Sequence, residues 1–184
     1  MALKSTIFKA ELDVADIDRG YYASHALTLA RHPSETDERM MVRLLAFALH
    51  ADPQLVFGRG LSTEDEADLW QLDLTGRIER WIDVGLPDER DIRKACGRAP
   101  DVHVLAYGGR AVDLWWESVR ERVARQARLT VRDVPVDASQ ALAGLAQRSM
   151  RLQCTIQDGQ VWMADDQTSV PVELRALQVR DLDR

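Results

Sequence analysis

The chain has 184 residues, which is within the length of one domain and enough to bury a core. Its composition, 46% hydrophobic and 29% charged, is that of a globular protein, and no apolar run approaches the ~20 residues that span a bilayer. The net charge of −6 argues against a protein that coats nucleic acid through bulk electrostatics.

The N-terminal quarter of the chain predicts strands followed by a long helix. Residues 4–14 alternate like a half-buried strand, and residues 21–30 fit either a second strand or an Ala-rich helix. A helix is predicted from Ser34, which can serve as the N-cap with Asp37 at the N3 position. The apolar stripe of this helix consists of Met41, Leu44, Leu45 and Ala48.

The rest of the chain predicts an α/β architecture. The pattern predicts a short strand at 55–57, an acidic loop at 64–66 and a second strand that begins at residue 68. Both strands come before the first parallel pair. Two parallel crossovers follow, made of strand 77–85, helix 89–98, strand 102–107, a Trp-containing helix and strand 129–134. The last predicted elements are a helix capped by Asp137, a hairpin over 152–163 and a strand over 169–174. The fold class predicted is α/β, with a single domain over residues 1–184 and a mixed β-sheet flanked by helices.

Several residues that often mark a site are assigned to the core instead. Trp115 and Trp116 could act as base-stacking platforms, but they fall on the apolar stripe of their helix, which favours packing. His103 lies within an apolar strand and is interpreted as a buried histidine with a partner. Cys96 and Cys154 are predicted to be reduced, buried thiols. Because the first eleven residues also lack the apolar core of a signal peptide, a cytoplasmic location without a membrane partner is expected.

Three acidic residues are distinguished by their positions. Glu38 falls on the helix stripe that should face the core, where an unpaired charge is costly. Asp83 lies at the carboxyl end of a strand that leads into a helix, where ligand sites of open α/β sheets gather. Asp68 lies fifteen positions earlier, on the preceding strand. Each also has a structural interpretation: Glu38 can reach solvent or a distant arginine, Asp83 can cap the next helix, and Asp68 can belong to the acidic loop.

Positive charge follows these acids in the sequence. Lys94 lies in the second turn of the helix after Asp83, where it can stabilise charge on a transferring phosphoryl group or lie on the surface. The segment 90–132 contains ten basic and five acidic residues, which leaves a net charge of −11 for the remainder. This segment predicts either the solvated faces of two helices or a patch that faces phosphates.

Four long blocks of sequence give the chain a family resemblance. With MALKSTIFKAELDVADIDR, LTLARHPSETDERMMVRLLAFAL, WIDVGLPDERDIRKAC and TIQDGQVW, the chain resembles the YaeQ family of bacterial proteins over essentially its whole length. This resemblance implies a variant of the PD-(D/E)XK nuclease fold, whose αβββαβ core would correspond to about residues 34–134.

The resemblance also implies site residues. The acid on the first helix of the nuclease pattern corresponds to Glu38, the aspartate of the second core strand to Asp68, and the acid of the third strand to Asp83. The pattern has a lysine two residues further on, where this chain has Gly85. Lys94 can take that part, as in nucleases of this fold whose lysine comes from the next helix.

The resulting hypothesis is a Mg²⁺-dependent phosphodiesterase or nuclease-like protein, with Mn²⁺ as a substitute metal. Asp68 and Asp83 would ligate the ion. Glu38 would ligate it or orient a water, and Lys94 would stabilise the charge of the pentacoordinate phosphorus. The basic segment 90–132 would position nucleic acid.

Two alternatives stay open at this point. A module that keeps the nuclease scaffold and binds nucleic acid without cleaving it is favoured by Gly85. A protein-interaction or regulatory domain is favoured by the negative net charge, and its protein partner is left open.

Overall fold

Two mixed β-sheets enclose a buried helix in the computed structural model, which describes residues 4–59 and 65–180. The strands are β1 (Thr6–Asp16), β2 (Tyr21–Arg31), β3 (Leu55–Phe57), β4 (Leu69–Leu72), β5 (Ile78–Val84), β6 (Asp101–Tyr107), β7 (Leu129–Val134), β8 (Ser149–Gln157), β9 (Gln160–Ala164), β10 (Ser169–Val172) and β11 (Arg175–Gln178). The helices are α1 (Asp37–Leu49), α2 (Glu89–Arg98), α3 (Arg110–Val123) and α4 (Val136–Gly144). Residue 64 of the predicted acidic loop lies outside the described residues.

The six-stranded sheet has the order β11-β7-β6-β5-β4-β3. As predicted, β5, β6 and β7 are parallel neighbours, while β4 and β3 continue the sheet as antiparallel strands. The element order from α1 to β6 is α-β-β-β-α-β, as expected from the sequence. Because β4 and β5 are antiparallel, the carboxyl end of β5, with Asp83, lies beside the start of β4.

The predicted hairpins form a second sheet of their own, with the order β10-β9-β8-β1-β2. The ambiguous segment 21–30 is a strand, and it pairs with β1 in antiparallel register over all eleven positions. β1 in turn is parallel to β8, from Lys9 opposite Ser149 to Asp16 opposite Ile156. The two ends of the chain thus close one sheet together.

Helix α1 packs between the two sheets. Its consecutive residues Met40–Ala48 are all buried, because one side of the helix faces the five-stranded sheet and other sides face β5 and α4. The prediction that Ser34 caps this helix is wrong: the N-cap is Thr36, whose hydroxyl accepts the N–H of Arg39 at 3.1 Å. Ser34 is instead held by His32, whose Nδ1 lies 2.6 Å from the serine hydroxyl.

The remaining helices follow the sequence with one correction. Asp88 caps α2 as predicted, but Asp137 does not cap α4, whose N-cap is Pro135; Asp137 lies in the first turn, where its charge complements the helix dipole. Trp115 and Trp116 are half-buried against a smaller core cluster, which confirms packing. Cys96 and Cys154 are buried free thiols, as predicted. Among the described helices, none is long and apolar enough to cross a membrane.

Candidate functional site

Asp68 and Asp83 are neighbours across two antiparallel strands. Leu69 of β4 pairs with Ile82 of β5, so Asp68, the residue before β4, lies opposite Asp83. Oδ2 of Asp68 accepts a hydrogen bond from the backbone N–H of Val84 at 2.7 Å. The structure therefore brings these two predicted site residues together.

A close backbone approach fixes the position of Asp68. Gly58, directly after β3, donates its N–H to the carbonyl oxygen of Asp68 at 2.8 Å. A Cβ atom at position 58 would lie only 2.0 Å from the carbonyl oxygen of Ala67, which is far inside van der Waals contact. Glycine is thus required at position 58, where the chain after β3 runs directly beside Ala67 and Asp68.

Asp83 has an unusual protonation equilibrium. Burial of its carboxylate, together with the negative charge of Asp68, raises the pKa of Asp83 to about 7. Within residues 4–59 and 65–180, the Asp83 carboxylate has no ion-pair partner. It is a half-buried acid that lacks a positive charge of its own.

Asp68, in contrast, has an arginine partner. One guanidinium nitrogen of Arg39 in α1 lies 2.7 Å from Oδ1 of Asp68, and the same nitrogen lies 3.3 Å from the carbonyl oxygen of Val84. The Asp68 side chain is 14% exposed, so this pair is shielded from solvent more than a surface ion pair is. α1 therefore places a cation next to the aspartate pair.

Sequence reasoning missed the rest of this ion-pair network. Arg39 also donates to Glu35 at 3.0 Å, and Arg43 donates to both carboxylate oxygens of Glu35 at 2.7 and 2.9 Å. Glu35 and Arg43 are buried. The spacing of the three residues, with Arg39 four positions and Arg43 eight positions after Glu35, was the signal that could have revealed the network.

Glu38 has the partner that its position requires, but the partner is not an arginine. Its Oε1 accepts a hydrogen bond from the hydroxyl of Ser139 in α4 at 2.6 Å, and Ser139 is fully buried. Tyr107, at the end of β6, is influenced by the charges of both Arg39 and Glu38. Glu38 therefore lies near the network, and its direct contact is with α4 rather than with either aspartate.

Lys94 is held by the acidic loop. Its ammonium forms an ion pair with Asp65, and Arg98 in the next turn of α2 donates to the backbone oxygen of Asp65 at 2.7 Å. The hydrogen bond and charge of Lys94 lower the pKa of Asp65 below its ordinary range. Within the described residues, the structure thus pairs Lys94 with the segment before Asp68 rather than with the aspartate pair.

Position 85 has a backbone that favours glycine. The φ angle of Gly85 is 109°, a conformation that L-residues rarely adopt, although a Cβ there would meet no neighbouring atom. A lysine at this position would strain the turn from β5 to α2. Arg39, whose guanidinium contacts the carbonyl of the preceding residue, supplies a positive charge close to this position.

The basic segment 90–132 covers the outer faces of α2 and α3. Nine of its ten basic residues are exposed, and only Arg132 is half-buried. Some are tied to acids: Glu89 pairs with Arg93 at 3.2 Å and with Arg122 at 3.0 Å. The segment is therefore largely a solvated surface, in which part of the positive charge is neutralised locally.

A half-buried pair of histidines lies at the end of α1. The rings of His50 and His103 are 4.2 Å apart between centroids, and Nε2 of His103 lies 2.9 Å from a carboxylate oxygen of Asp101. Burial lowers the pKa of both histidines, most strongly that of His50. His103 thus has the partner that the sequence predicts, and its side chain is 13% exposed.

The donor set at the aspartate pair is suited to a hard cation. No group of three or more His, Cys, Asp or Glu side chains in the described ranges is arranged to hold a metal ion. Mg²⁺, however, needs only one or two carboxylates, because it keeps several waters and takes further oxygens from substrate phosphates. Asp83, half-buried and without an ion-pair partner in the described part of the chain, and the adjacent Asp68 meet this smaller requirement.

The whole chain is similar to proteins of one family. The family model described as YaeQ protein matches residues 1–174. The "Uncharacterized protein YaeQ" of Salmonella typhi is 48% identical over 178 residues, which are 97% of this chain and 98% of that protein, and its namesake from Escherichia coli (strain K12) is 46% identical over the same length. The solved structure of YaeQ protein from Xanthomonas axonopodis pv. citri is 51% identical, with a TM-score of 0.92, and covers 95% of this chain and 99% of its own. The solved structure of YaeQ protein from Pseudomonas syringae is 39% identical, with a TM-score of 0.91, and the match covers 96% of this chain and 97% of that one.

Proposed function

The chain belongs to the YaeQ family, and from that premise we propose that it is a Mg²⁺-dependent phosphodiesterase-like protein that acts on nucleic acid. The observation that carries the proposal is the juxtaposition of Asp68 with Asp83, an acid with no ion-pair partner among the residues that the structure describes. A buried carboxylate beside a second one is costly, and a divalent cation is the ligand that most directly relieves this cost.

Each residue at the site has a role in the proposal. Asp83 and Asp68 would hold the cation, which when bound would lower the pKa of a water molecule and polarise a phosphate. Glu38, held in position by Ser139, orients the attacking water or adds a ligand. Lys94 and Arg39 are the proposed sources of positive charge for the transition state. Arg39 is included because its guanidinium contacts Asp68.

The exposed arginines of α2 and α3 support the choice of substrate class in this proposal. Arg90 and Arg93 are strongly exposed near the start of α2, the helix that begins just after Asp83. Cationic side chains beside a cation site suit a polyanionic strand, because each neutralised phosphate releases counterions and adds to affinity. Nucleic acid is therefore the proposed substrate.

A second candidate function is favoured by a separate observation. Arg39 neutralises Asp68, and the backbone at Gly85 disfavours the lysine of the nuclease pattern. A chain with these two features can keep the nuclease scaffold as a nucleic-acid-binding module that does not cleave. The two candidates share a surface and differ in chemistry.

A cleavage assay tests the proposal. Labelled single- and double-stranded DNA and RNA are incubated with the protein in Mg²⁺ or Mn²⁺, and Asp83→Asn is compared with the matched surface control Glu117→Gln, an exposed acid in α3. We expect Asp83→Asn to lower the cleavage rate by roughly 100-fold or more, since cation stabilisation is worth several kcal/mol, and the control to leave it unchanged.

Other outcomes separate the candidates. Binding that weakens steeply with salt, with no product in either metal, supports the binding module and contradicts the enzyme. If the wild type neither binds nor cleaves any of the four substrates, both candidates are excluded.

A further inference from the structure

The strand β2 is a long and unprotected sheet edge. Among the strands that the structure describes, it pairs with β1 alone, and the register from Tyr21 to Arg31 has no bulge. Its first ten residues include no Lys, Asp, Glu or Pro, which are the residues that keep an edge from pairing with another chain. Eleven residues of regular strand therefore expose backbone hydrogen-bonding groups on one side.

The other sheet edges in the described part of the chain are protected. β10 has four residues and contains Pro171, and β3 has three residues. β11 has four residues, and its register with β7 shifts between Ala176 and Gln178. Short strands, proline and bulges are the usual protective features of edges, so β2 differs from the rest.

The free side of β2 is open in the monomer. Its side chains that point toward the core, such as Ala23, His25 and Leu27, are half-exposed, whereas the core-facing side chains of β1 are nearly all buried. Apart from Arg43, which donates to the carbonyl oxygen of Ala30 at 3.2 Å, no hydrogen bond from residues 4–59 or 65–180 reaches this side of the strand. Nothing in these ranges covers the edge.

We propose that β2 is the interface for a second copy of this chain, with two antiparallel β2 strands related by a two-fold axis at Ala26. This register places Ser24 opposite Thr28 of the partner subunit and Tyr22 opposite Ala30 of the partner subunit. Hydroxyls then face hydroxyls, the largest exposed side chain faces one of the smallest, and no like charges meet. The strand complements itself, which an isologous dimer requires, and the two five-stranded sheets become one of ten strands.

Cysteine cross-linking tests the register. In the proposed dimer the two copies of position 26 are directly opposite, within the Cα separation that a disulfide spans. The two copies of position 24 are about 14 Å apart, since four residues of strand separate them. We expect Ala26→Cys to form a disulfide-linked dimer on mild oxidation and Ser24→Cys, at an equally exposed position, to remain unlinked. The native Cys96 and Cys154 are buried, so the wild type gives the background level of cross-linking.

Charge substitutions test the interface in solution by light scattering over a concentration series. The double variant Ser24→Lys/Thr28→Lys creates two like-charge pairs across the axis, and we expect it to raise the dimer Kd at least about tenfold. The matched variant Ser24→Lys/Thr28→Glu creates two opposite-charge pairs and is expected to dimerise at least as well as the wild type. A wild type that stays monomeric at several hundred micromolar, or a dimer that both variants leave unchanged, would overturn the proposal.

Discussion

Replacement of Asp83 by asparagine is expected to make the protein more stable than the wild type at pH 8, by up to about 4 kcal/mol in the free energy of unfolding. The pKa of Asp83 is raised to about 7 by burial and by the charge of Asp68, whereas an unfolded aspartate titrates near ~3.9. Ionising this carboxylate in the folded protein is therefore unfavourable, and asparagine keeps the shape and a hydrogen-bond acceptor without the charge.

The sign of the pH dependence follows from proton binding. Between pH ~4 and pH 7 the folded protein holds a proton on Asp83 that the unfolded chain has lost. Stability contributed by Asp83 is therefore complete below pH ~4, falls as the pH rises through this window, and levels off above about pH 7. Asp83→Asn removes this contribution, so its advantage over the wild type should grow from pH 4 to pH 8.

Urea unfolding at a series of pH values, in the presence of EDTA, measures this effect. The quantity to plot is the difference in unfolding free energy between Asp83→Asn and the wild type, because other carboxylates cancel in the difference. Glu117→Gln, on the exposed face of α3, should give a flat difference curve. A flat curve for Asp83→Asn as well would show that its carboxylate titrates normally.

Replacement of Arg43 by methionine is expected to destabilise the protein by about 3–5 kcal/mol. The Arg43 side chain is 4% exposed and donates to both oxygens of Glu35 and to the carbonyl of Ala30. Methionine fills a similar volume but leaves the buried Glu35 with Arg39 as its remaining partner, at 3.0 Å. An incompletely compensated buried charge costs more than the lost hydrogen bonds alone.

Thermal unfolding provides the measurement for Arg43. In a chain of this length a loss of this size lowers Tm by roughly 10 °C. Arg120→Met, on the exposed face of α3, is the control and should change stability by less than about 0.5 kcal/mol. The double variant Glu35→Gln/Arg43→Met should recover part of the loss, because it also removes the stranded charge; no recovery would contradict the electrostatic explanation.

The order of strands and helices was predictable because each element has a local signal. The alternation in β5, the Asp88 cap of α2 and the apolar run of β6 lie within a few residues of the structure they specify. The cap of α1 was misassigned because Ser34 and Thr36 are both suitable hydroxyls; Ser34 is engaged with the His32 ring, and Thr36 accepts the N–H of Arg39. A local pattern with two equivalent candidates cannot identify which one is used.

Features that depend on distant partners were not predictable in this way. The separate five-stranded sheet results from parallel pairing of β1 with β8, about 140 positions apart in the chain, and neither strand's sequence specifies the other. The partner of Arg39 is Asp68, 29 positions away, and the partner of Glu38 is Ser139, 101 positions away. The sequence predicted that Glu38 needs a partner, but only the packing of α4 on α1 provides it.

Of the candidate site, the aspartate pair could be predicted best. Strand order alone put Asp68 and Asp83 on adjacent strands, and the register of β4 with β5 places them opposite each other. The function of Lys94 stays a prediction, because its ammonium pairs with Asp65 and the charge nearest to the aspartates belongs to Arg39. The spacing of Glu35, Arg39 and Arg43 was present in the sequence, but the apolar stripe of the same helix is a more prominent pattern.

The most direct test of the central claim is Mn²⁺ and Mg²⁺ binding, measured by calorimetry at pH 6, 7 and 8. If Asp83 is a ligand, the cation must displace its proton, so affinity should rise about tenfold per pH unit below pH 7 and level off above it, with about one proton released below pH 7. Asp83→Asn should abolish binding while remaining folded, and Glu117→Gln should bind like the wild type. Binding that does not depend on pH, or that survives in Asp83→Asn, would contradict a cation site at the aspartate pair.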